Sequence, residues 1–327
     1  MKNIITRVSI VLLLCSSLIP FKAEAVMFPH GDTQLDLKVN IADVTMVIDA
    51  LLGNTKTYMN FDMDRDGKVS IADVTCLIDY LLYGEWHLAW NGPEIPDSAE
   101  VFTVNGVTFA MMPVQGGEHC DVWGNGSVIV SLGDFYLGQT EVTQELWTAV
   151  MGEPLSYPSD YTYHEPGPYN PADYLCWSDC QEFISRLNEL TGLEFHLPFT
   201  AQWLWAKRGG IYSHGYQYAG SDDLNEVAWY WSIIYTYTGE ITMPVGLKKP
   251  NELGLYDMHG NVWEICYNYN WKDGDQDVQD TYFSVVGGCV QSNPPGPNDW
   301  WTPWMIPRTP AIASPLEGFR LALQKEQ

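Results

Sequence analysis

Residues 250–264 read PNELGLYDMHGNVWE, and the way this stretch turns decides what the larger part of the chain becomes. Two carboxylates, Asp257 and Glu264, stand on either side of Gly260. A glycine permits a tight turn there, and such a turn can aim main-chain carbonyls inward beside the acids. Hard oxygen donors gathered in this way suit calcium. The same residues also fit an aspartate turn followed by a buried, hydrogen-bonded glutamate, so both readings stand at this point.

Working outward, FYLGQTEVT at 135–143 is followed by Trp147, SDCQEFISRLNEL at 178–190 and FHLPFTAQWLWAKRGG at 195–210, all upstream of the turn. Downstream come VVGG at 285–288 and GFRLAL at 318–323. The 178–190 pattern predicts an amphipathic helix, opened by Ser178 as N-cap and closed near Gly192. The remainder is rich in glycine, proline, tryptophan and tyrosine with few periodic runs, which predicts short strands, irregular loops and few helices. In this order the strings resemble the formylglycine-generating enzyme, or sulfatase-modifying factor, family across about residues 100–324. The resemblance implies an α+β fold, an irregular C-type-lectin-like domain over 100–327. It also implies a calcium site on Asp257, the carbonyls of Gly260 and Val262, and Glu264.

The catalytic centre that the resemblance leads one to expect is missing. Active members hold copper with a pair of cysteines downstream of a Gly-Gly-Ser strand, and thiolates suit that task because Cu(I) is a soft ion. Here Gly287-Gly288 is followed by Cys289 at the serine position, and no cysteine follows it as far as Gln327. Ser292 and Pro297 stand near the places where the pair is expected. Other family positions are altered too: His196 replaces an arginine before Leu-Pro, Leu204 ends the run that begins at Phe199, and Ile265 replaces a tryptophan. Catalytic residues are therefore expected to be absent, and Cys289 reads as a small buried residue.

In place of the catalytic loop stands NPPGPNDWWTPWMIPRTP at 293–310, which sets Trp300, Trp301 and Trp304 among prolines. Planar side chains on proline-stiffened loops lose little entropy on binding, so these three are candidate ligand contacts for a glycan or a protein. A second aromatic group, Trp229, Tyr230, Trp231, Tyr235 and Tyr237, reads as interior packing.

Nearer the start, VNIADVTMVIDALL at 39–52 recurs at 69–82 as VSIADVTCLIDYLL. Val44, Val47, Ile48 and Leu51, with their counterparts Val74, Leu77, Ile78 and Leu81, fall at helical spacing and predict two helices that bury apolar faces on each other. Before the second copy, Asp62, Asp64, Asp66 and Asp73 occupy positions 1, 3, 5 and 12 of a calcium loop. Gly67 makes the sharp turn, Lys68 offers its carbonyl and Ser70 its hydroxyl. The first copy offers Asp32, Gln34, Asp36, the Lys38 carbonyl, Asn40 and Asp43, but Leu37 replaces the glycine, so weaker binding is expected. Residues 30–84 resemble the type I dockerin module, which is all-α with paired calcium loops. The resemblance implies Ca2+ and a cohesin-like partner, although Ile41-Ala42 and Ile71-Ala72 stand where many dockerins carry small polar residues.

Lys2 and Arg7, then an apolar stretch from Val8 to Pro20, then Ala23-Glu24-Ala25, read as a signal peptide over 1–25. A lipoprotein reading at Cys15 is opposed by the bulky Leu14 before it. The expected organisation is 1–25 leader, 26–86 dockerin-like module, 87–99 linker with Gly92, Pro93 and Pro96, and 100–327 large domain. The formal net charge of −25 becomes two units more negative once the leader is removed, and such a surface repels nucleic acid and anionic lipid. No later segment reaches the ~18 apolar residues of a membrane span. Of the cysteines, 76, 120, 176, 180, 266 and 289 remain, without zinc-like or Cys-x-x-Cys spacing. These features together predict a secreted or cell-surface binding or assembly protein. A metal-dependent oxidase of the sulfatase-modifying type, or an accessory component in extracellular polysaccharide degradation, is the alternative.

Overall fold

The computed structural model describes residues 39–54, 61, 63, 69–83, 92–122, 126, 128–158, 167–231, 242–267, 282–293, 304–307, 313 and 315–325. The leader, most of both calcium loops, and Trp300 and Trp301 lie outside them; Trp304 is described only as the start of a strand. So do the side chains of residues 301–312 and the Tyr235 and Tyr237 pair.

The repeat forms two helices, α1 (Ile41–Leu51) and α2 (Ile71–Tyr83). Each starts on the polar residues that the repeat preserves. Asn40 accepts a hydrogen bond from the Ala42 amide at 2.9 Å, and Asp43 accepts one from the Asn40 amide at 2.8 Å. In the second copy Ser70 accepts from the Ala72 amide at 3.0 Å and Asp73 from the Ser70 amide at 2.6 Å. These reciprocal caps satisfy amides that the first helical turn leaves open.

Val44, Val47 and Ala50 pack with Phe61, Met63, Val74, Cys76 and Leu77 in a small core. The inward face is thus rotated from the one the spacing predicts: Ile48, Leu51 and Ile78 are each more than a third exposed. An apolar stripe wider than the partner helix can cover leaves its margin in solvent.

The larger unit is built on a five-stranded sheet. Its strands are β1 (Glu100–Val104), β2 (Val107–Val114), β5 (Phe135–Gly138), β6 (Phe195–His196) and β11 (Ala322–Gln324), in the spatial order β1-β2-β5-β11-β6. A two-stranded ribbon, β3 (Gly117–Asp121) with β4 (Ile129–Leu132), stands apart from it. A four-stranded sheet, in the order β10-β7-β8-β9, joins β10 (Glu317–Gly318), β7 (Trp263–Tyr267), β8 (Tyr282–Val286) and β9 (Trp304–Pro307). The main core draws residues from both sheets, and in it Trp147 stacks on Phe183 at 5.5 Å between centroids and Phe183 meets Phe319 edge-on.

The 178–190 pattern is helix α4 (Trp177–Thr191), ended by Gly192 in the left-handed region as expected. Its start is one residue earlier than the Ser178 cap implied. Cys176 is the N-cap, and its amide donates to Asp179 at 2.8 Å. Two more helices were not visible as amphipathic patterns: α3 (Gln144–Met151) and α5 (Thr200–Lys207). Thr200, Ala201, Gln202, Trp203, Leu204, Ala206 and Lys207 of α5 are all buried, so no polar face interrupts the run. A last short helix, α6, spans Leu224–Val227.

Residues 92–96 have neither helix nor strand, yet they are seated on the domain. The Gln139 side chain donates to the Glu94 carbonyl at 2.8 Å. Gly92 faces the Tyr169 ring, and the Pro93 ring fills the space where a Cβ on Gly246 would stand. The six cysteines among the described residues are buried thiols.

Candidate functional site

The stretch that opens the sequence argument is buried from Asp257 to Val262 and left-handed at four places: Gly254 (φ 77°), Asp257 (φ 54°), Gly260 (φ 80°) and Asn261 (φ 58°). At residue 260 only glycine fits, because a Cβ would run into the Trp229 carbonyl. The Gly260 amide donates to the Gly287 carbonyl and the Asn261 amide to the Trp229 carbonyl, both at 2.9 Å. Together they tie the turn to the Gly-Gly strand end and to the aromatic segment. Asn261 completes the frame by accepting from the Met243 amide at 2.9 Å and donating to Glu141 at 2.9 Å.

The turn aims its acids at one guanidinium. Arg320, wholly buried, donates through Nε to Glu264 Oε2 at 2.6 Å and through Nη2 to Oε1 at 2.7 Å. Its remaining donors reach the Gly138 and Tyr256 carbonyls, each at 3.0 Å. Trp203 adds an indole N–H to Glu264 Oε2 at 2.8 Å. Such a bidentate, fully hydrogen-bonded arrangement is what makes a buried ion pair tolerable.

Two further carboxylates share the space. Asp257 accepts from the Gly246 amide at 2.7 Å, while its Oδ1 has no hydrogen-bond partner among the described residues. Burial pushes the Asp257 carboxyl up to about 6, against the Gly246 hydrogen bond and the pull of Arg320. Burial, and then repulsion from Asp257 and Glu264, pushes Glu141 well above the carboxylate range despite Arg320 and the Asn261 amide. One permanent cation thus pairs directly with Glu264 and draws on Glu141 and Asp257 through its charge.

The structure therefore brings Asp257, Gly260, Val262 and Glu264 into one buried turn, but Glu264 does not face an open site. Both of its oxygens are engaged by Arg320, so the buried, hydrogen-bonded glutamate is the arrangement seen, and a calcium ion would have to compete with an internal cation. Among the described residues no group of three or more His, Cys, Asp or Glu is placed to hold a metal. Neither Arg320 nor Glu141 was singled out from sequence. The signal available was a lone charge inside an otherwise apolar string, as in GFRLAL.

In the dockerin-like repeat the described loop ends are Asn40, Asp43, Ser70 and Asp73. Asp43 and Asp73 are fully buried, and Asp73 also accepts from the Met63 amide at 2.6 Å. Asp32, Gln34, Asp36, Lys38, Asp62, Asp64, Asp66 and Lys68 lie outside the described residues. Cys289 sits just beyond the end of β8 and not on a strand. It is 4% exposed and packed with Trp229, Met243, Val290 and Leu316. Burial pushes its thiol up, which disfavours the thiolate. Trp229 and Tyr230 are interior, as the aromatic reading expected. His196 donates through Nδ1 to the Leu197 carbonyl, 2.8 Å away, and is partly buried.

Comparison with known proteins agrees with both parts of this description. Residues 96–325 match the sulfatase-modifying factor enzyme 1-like domain, and residues 30–82 match the dockerin type I domain. The chain is 31% identical over 210 residues to the chaperone protein LppX of Paenibacillus barcinonensis, covering 50% of this chain and 72% of that protein. It is 30% identical over 112 residues to the formylglycine-generating enzyme of Streptomyces coelicolor, spanning only 33% of that enzyme's length. Among solved structures, Treponema denticola variable protein 1 superposes with a TM-score of 0.55 at 25% identity, over 71% of this chain and all of that one. CarF superposes with a TM-score of 0.51 at 24% identity, over 67% of this chain and 99% of its own, a likeness of fold alone.

Proposed function

The chain belongs to the sulfatase-modifying factor enzyme 1-like family, and from that premise we propose that it is an exported assembly protein whose family domain recognises a partner or ligand without the family's oxidative chemistry. The observation that carries this reading is the cysteine pattern. Within the matched span 96–325 no cysteine follows Cys289, and the Cys289 thiol is buried and held neutral. One buried thiol cannot supply the two accessible thiolates of a Cu(I) site. The likeness to a relative named as a chaperone supports a helper role in place of catalysis. Trp300, Trp301 and Trp304 are the proposed contacts for a macromolecular partner of the domain.

Incubating the copper-loaded protein with a sulfatase-type cysteine peptide should yield no formylglycine by mass spectrometry. Turnover above a copper-only control would overturn the non-catalytic reading.

The dockerin module is the proposed tether, with calcium in its loops and a cohesin-like partner on its surface. Support comes from the apolar margins of α1 and α2, which are exposed in matched pairs thirty residues apart. Ile41 and Ile71 are 69% and 71% exposed, and Leu52 and Leu82 70% and 66%. Large apolar side chains displayed so evenly suit a protein partner. Changing both Ile41 and Ile71 to Asp should weaken capture of a cohesin-like protein at least tenfold while the helical content, read by circular dichroism, stays the same. Unaltered capture would place the docking surface elsewhere.

A further inference from the structure

A cleft with a cavity volume of about 390 Å3 opens between the strand β2, the start of β5, the turn at Tyr212 and the segment around Leu253. It lies apart from the Arg320 centre, and its size falls within the roughly 300–1,000 Å3 usual for small-molecule sites. Its floor is apolar: Met112, Val114, Phe135 and Leu253 are all buried. Its rim is polar, carrying Ser98, Gln115, Asp134, Tyr212, Glu252 and Lys325.

Two of the rim carboxylates are fixed through one oxygen by a backbone amide. Glu252 Oε1 accepts from the His214 amide at 2.8 Å, and its side chain is only 8% exposed. Asp134 Oδ1 accepts from the Gly116 amide at 3.0 Å. Each acid is thereby held in one orientation on the cleft wall: Asp134 is exposed and can accept from a ligand, while Glu252 lines the cleft with its second oxygen turned toward Gly209. Tyr212 is 59% exposed, and its position is set by a 3-10 turn, Gly210–Tyr212, that begins at Gly209 in the left-handed region. It offers a flat ring beside these oriented acceptors.

A ring with an apolar face and several hydroxyls around its edge matches this arrangement. The apolar face lies on the tyrosine, and neighbouring hydroxyls donate to Asp134 and Glu252 and accept from Gln115 or Lys325. Charge narrows the class. Two acids against one ammonium, in a chain of net charge −25, disfavour an anionic ligand.

We propose that this cleft binds a neutral saccharide through the Tyr212 ring and the Asp134 and Glu252 carboxylates. The assignment deepens the recognition role given to the domain and is independent of the docking module.

The test is calorimetric titration of the full-length protein with xylohexaose, cellohexaose and mannohexaose, and with an oligogalacturonate as the anionic control. At least one neutral hexaose should bind, the oligogalacturonate at least tenfold more weakly. Tyr212→Ala should weaken binding at least tenfold, and Asp134→Asn and Glu252→Gln should each do so severalfold. Tyr212 and Asp134 are exposed, so their variants should change the melting temperature little. Asp134→Asn keeps the fold even if Glu252→Gln does not. No heat from any neutral hexaose would overturn the proposal. So would binding that ignores Tyr212→Ala and Asp134→Asn yet disappears when Trp300, Trp301 and Trp304 are changed to alanine. The formylglycine and cohesin assays report on the assembly reading separately, so either idea can fail without the other.

Discussion

Replacing Arg320 by methionine should destabilise the larger domain by about 3–5 kcal/mol at pH 7, because it strands buried carboxylates without their cation. For a unit of this size that is a fall in melting temperature on the order of 10 °C. Methionine roughly preserves the packing volume, so the loss reports charge and hydrogen bonding more than a cavity. The pH dependence gives the sharper check. Asp257 is pushed up to about 6 and Glu141 well above its ordinary range. Carboxyls with raised folded-state pKa values bind more protons in the native state, so their contribution to stability is complete at low pH and is lost as pH rises through the folded value. Without Arg320 those values rise further. Denaturant titrations should therefore find a much smaller deficit at pH 5 than at pH 7.5. An equal deficit at both would mean that the loss comes from packing and not from the acids.

Removing calcium should have the second large effect, confined to the other end of the chain. The apolar core of the repeat is small, and such units usually depend on a bound metal. With calcium at 100 times its Kd the stabilisation is about 2.7 kcal/mol. Hydrogen exchange on the full-length protein should show Ile41–Leu51 and Ile71–Tyr83 losing most of their protection on chelation, with Glu100–Val114 and Trp177–Thr191 unchanged. The Asp62→Ala, Asp66→Ala double variant should look like the chelated wild type even in calcium. Protection that persists in chelator would show that the helix pair folds on its own contacts, chiefly Val47, Phe61, Met63 and Leu77.

What could be read in advance divides along physical lines. Local signals carried through: the repeat as a pair of helices, the helix ending at Gly192, the glycine of the 260 turn and the buried Cys289. Each is set by residues within a few positions of one another. Signals that depend on distant partners did not. The turn at 257–264 can be read from sequence as a calcium cradle or as an aspartate turn with a buried glutamate, but its ion pair with Arg320, 56 residues from Glu264, cannot. Helix α5 carries no amphipathic signal because all its residues but the half-buried Trp205 are buried, and amphipathic periodicity exists only where one side meets water. The inward face of the repeat helices was misjudged for a related reason, since periodicity gives the width of an apolar stripe but not how much of it a neighbour covers.

The seating of residues 92–96 sets a limit on reach. Because Pro93 is lodged against Gly246 and the Glu94 carbonyl is held by Gln139, the chain is seated on the family domain from Pro93 onward. Between Tyr83 and Gly92 a fully extended chain spans on the order of 30 Å. A partner holding the helix pair would thus keep the family domain within a few nanometres of itself. Molecules bound beside it on the same scaffold would then meet the domain at an effective concentration around the millimolar range, so even a weak intrinsic affinity would give lasting occupancy.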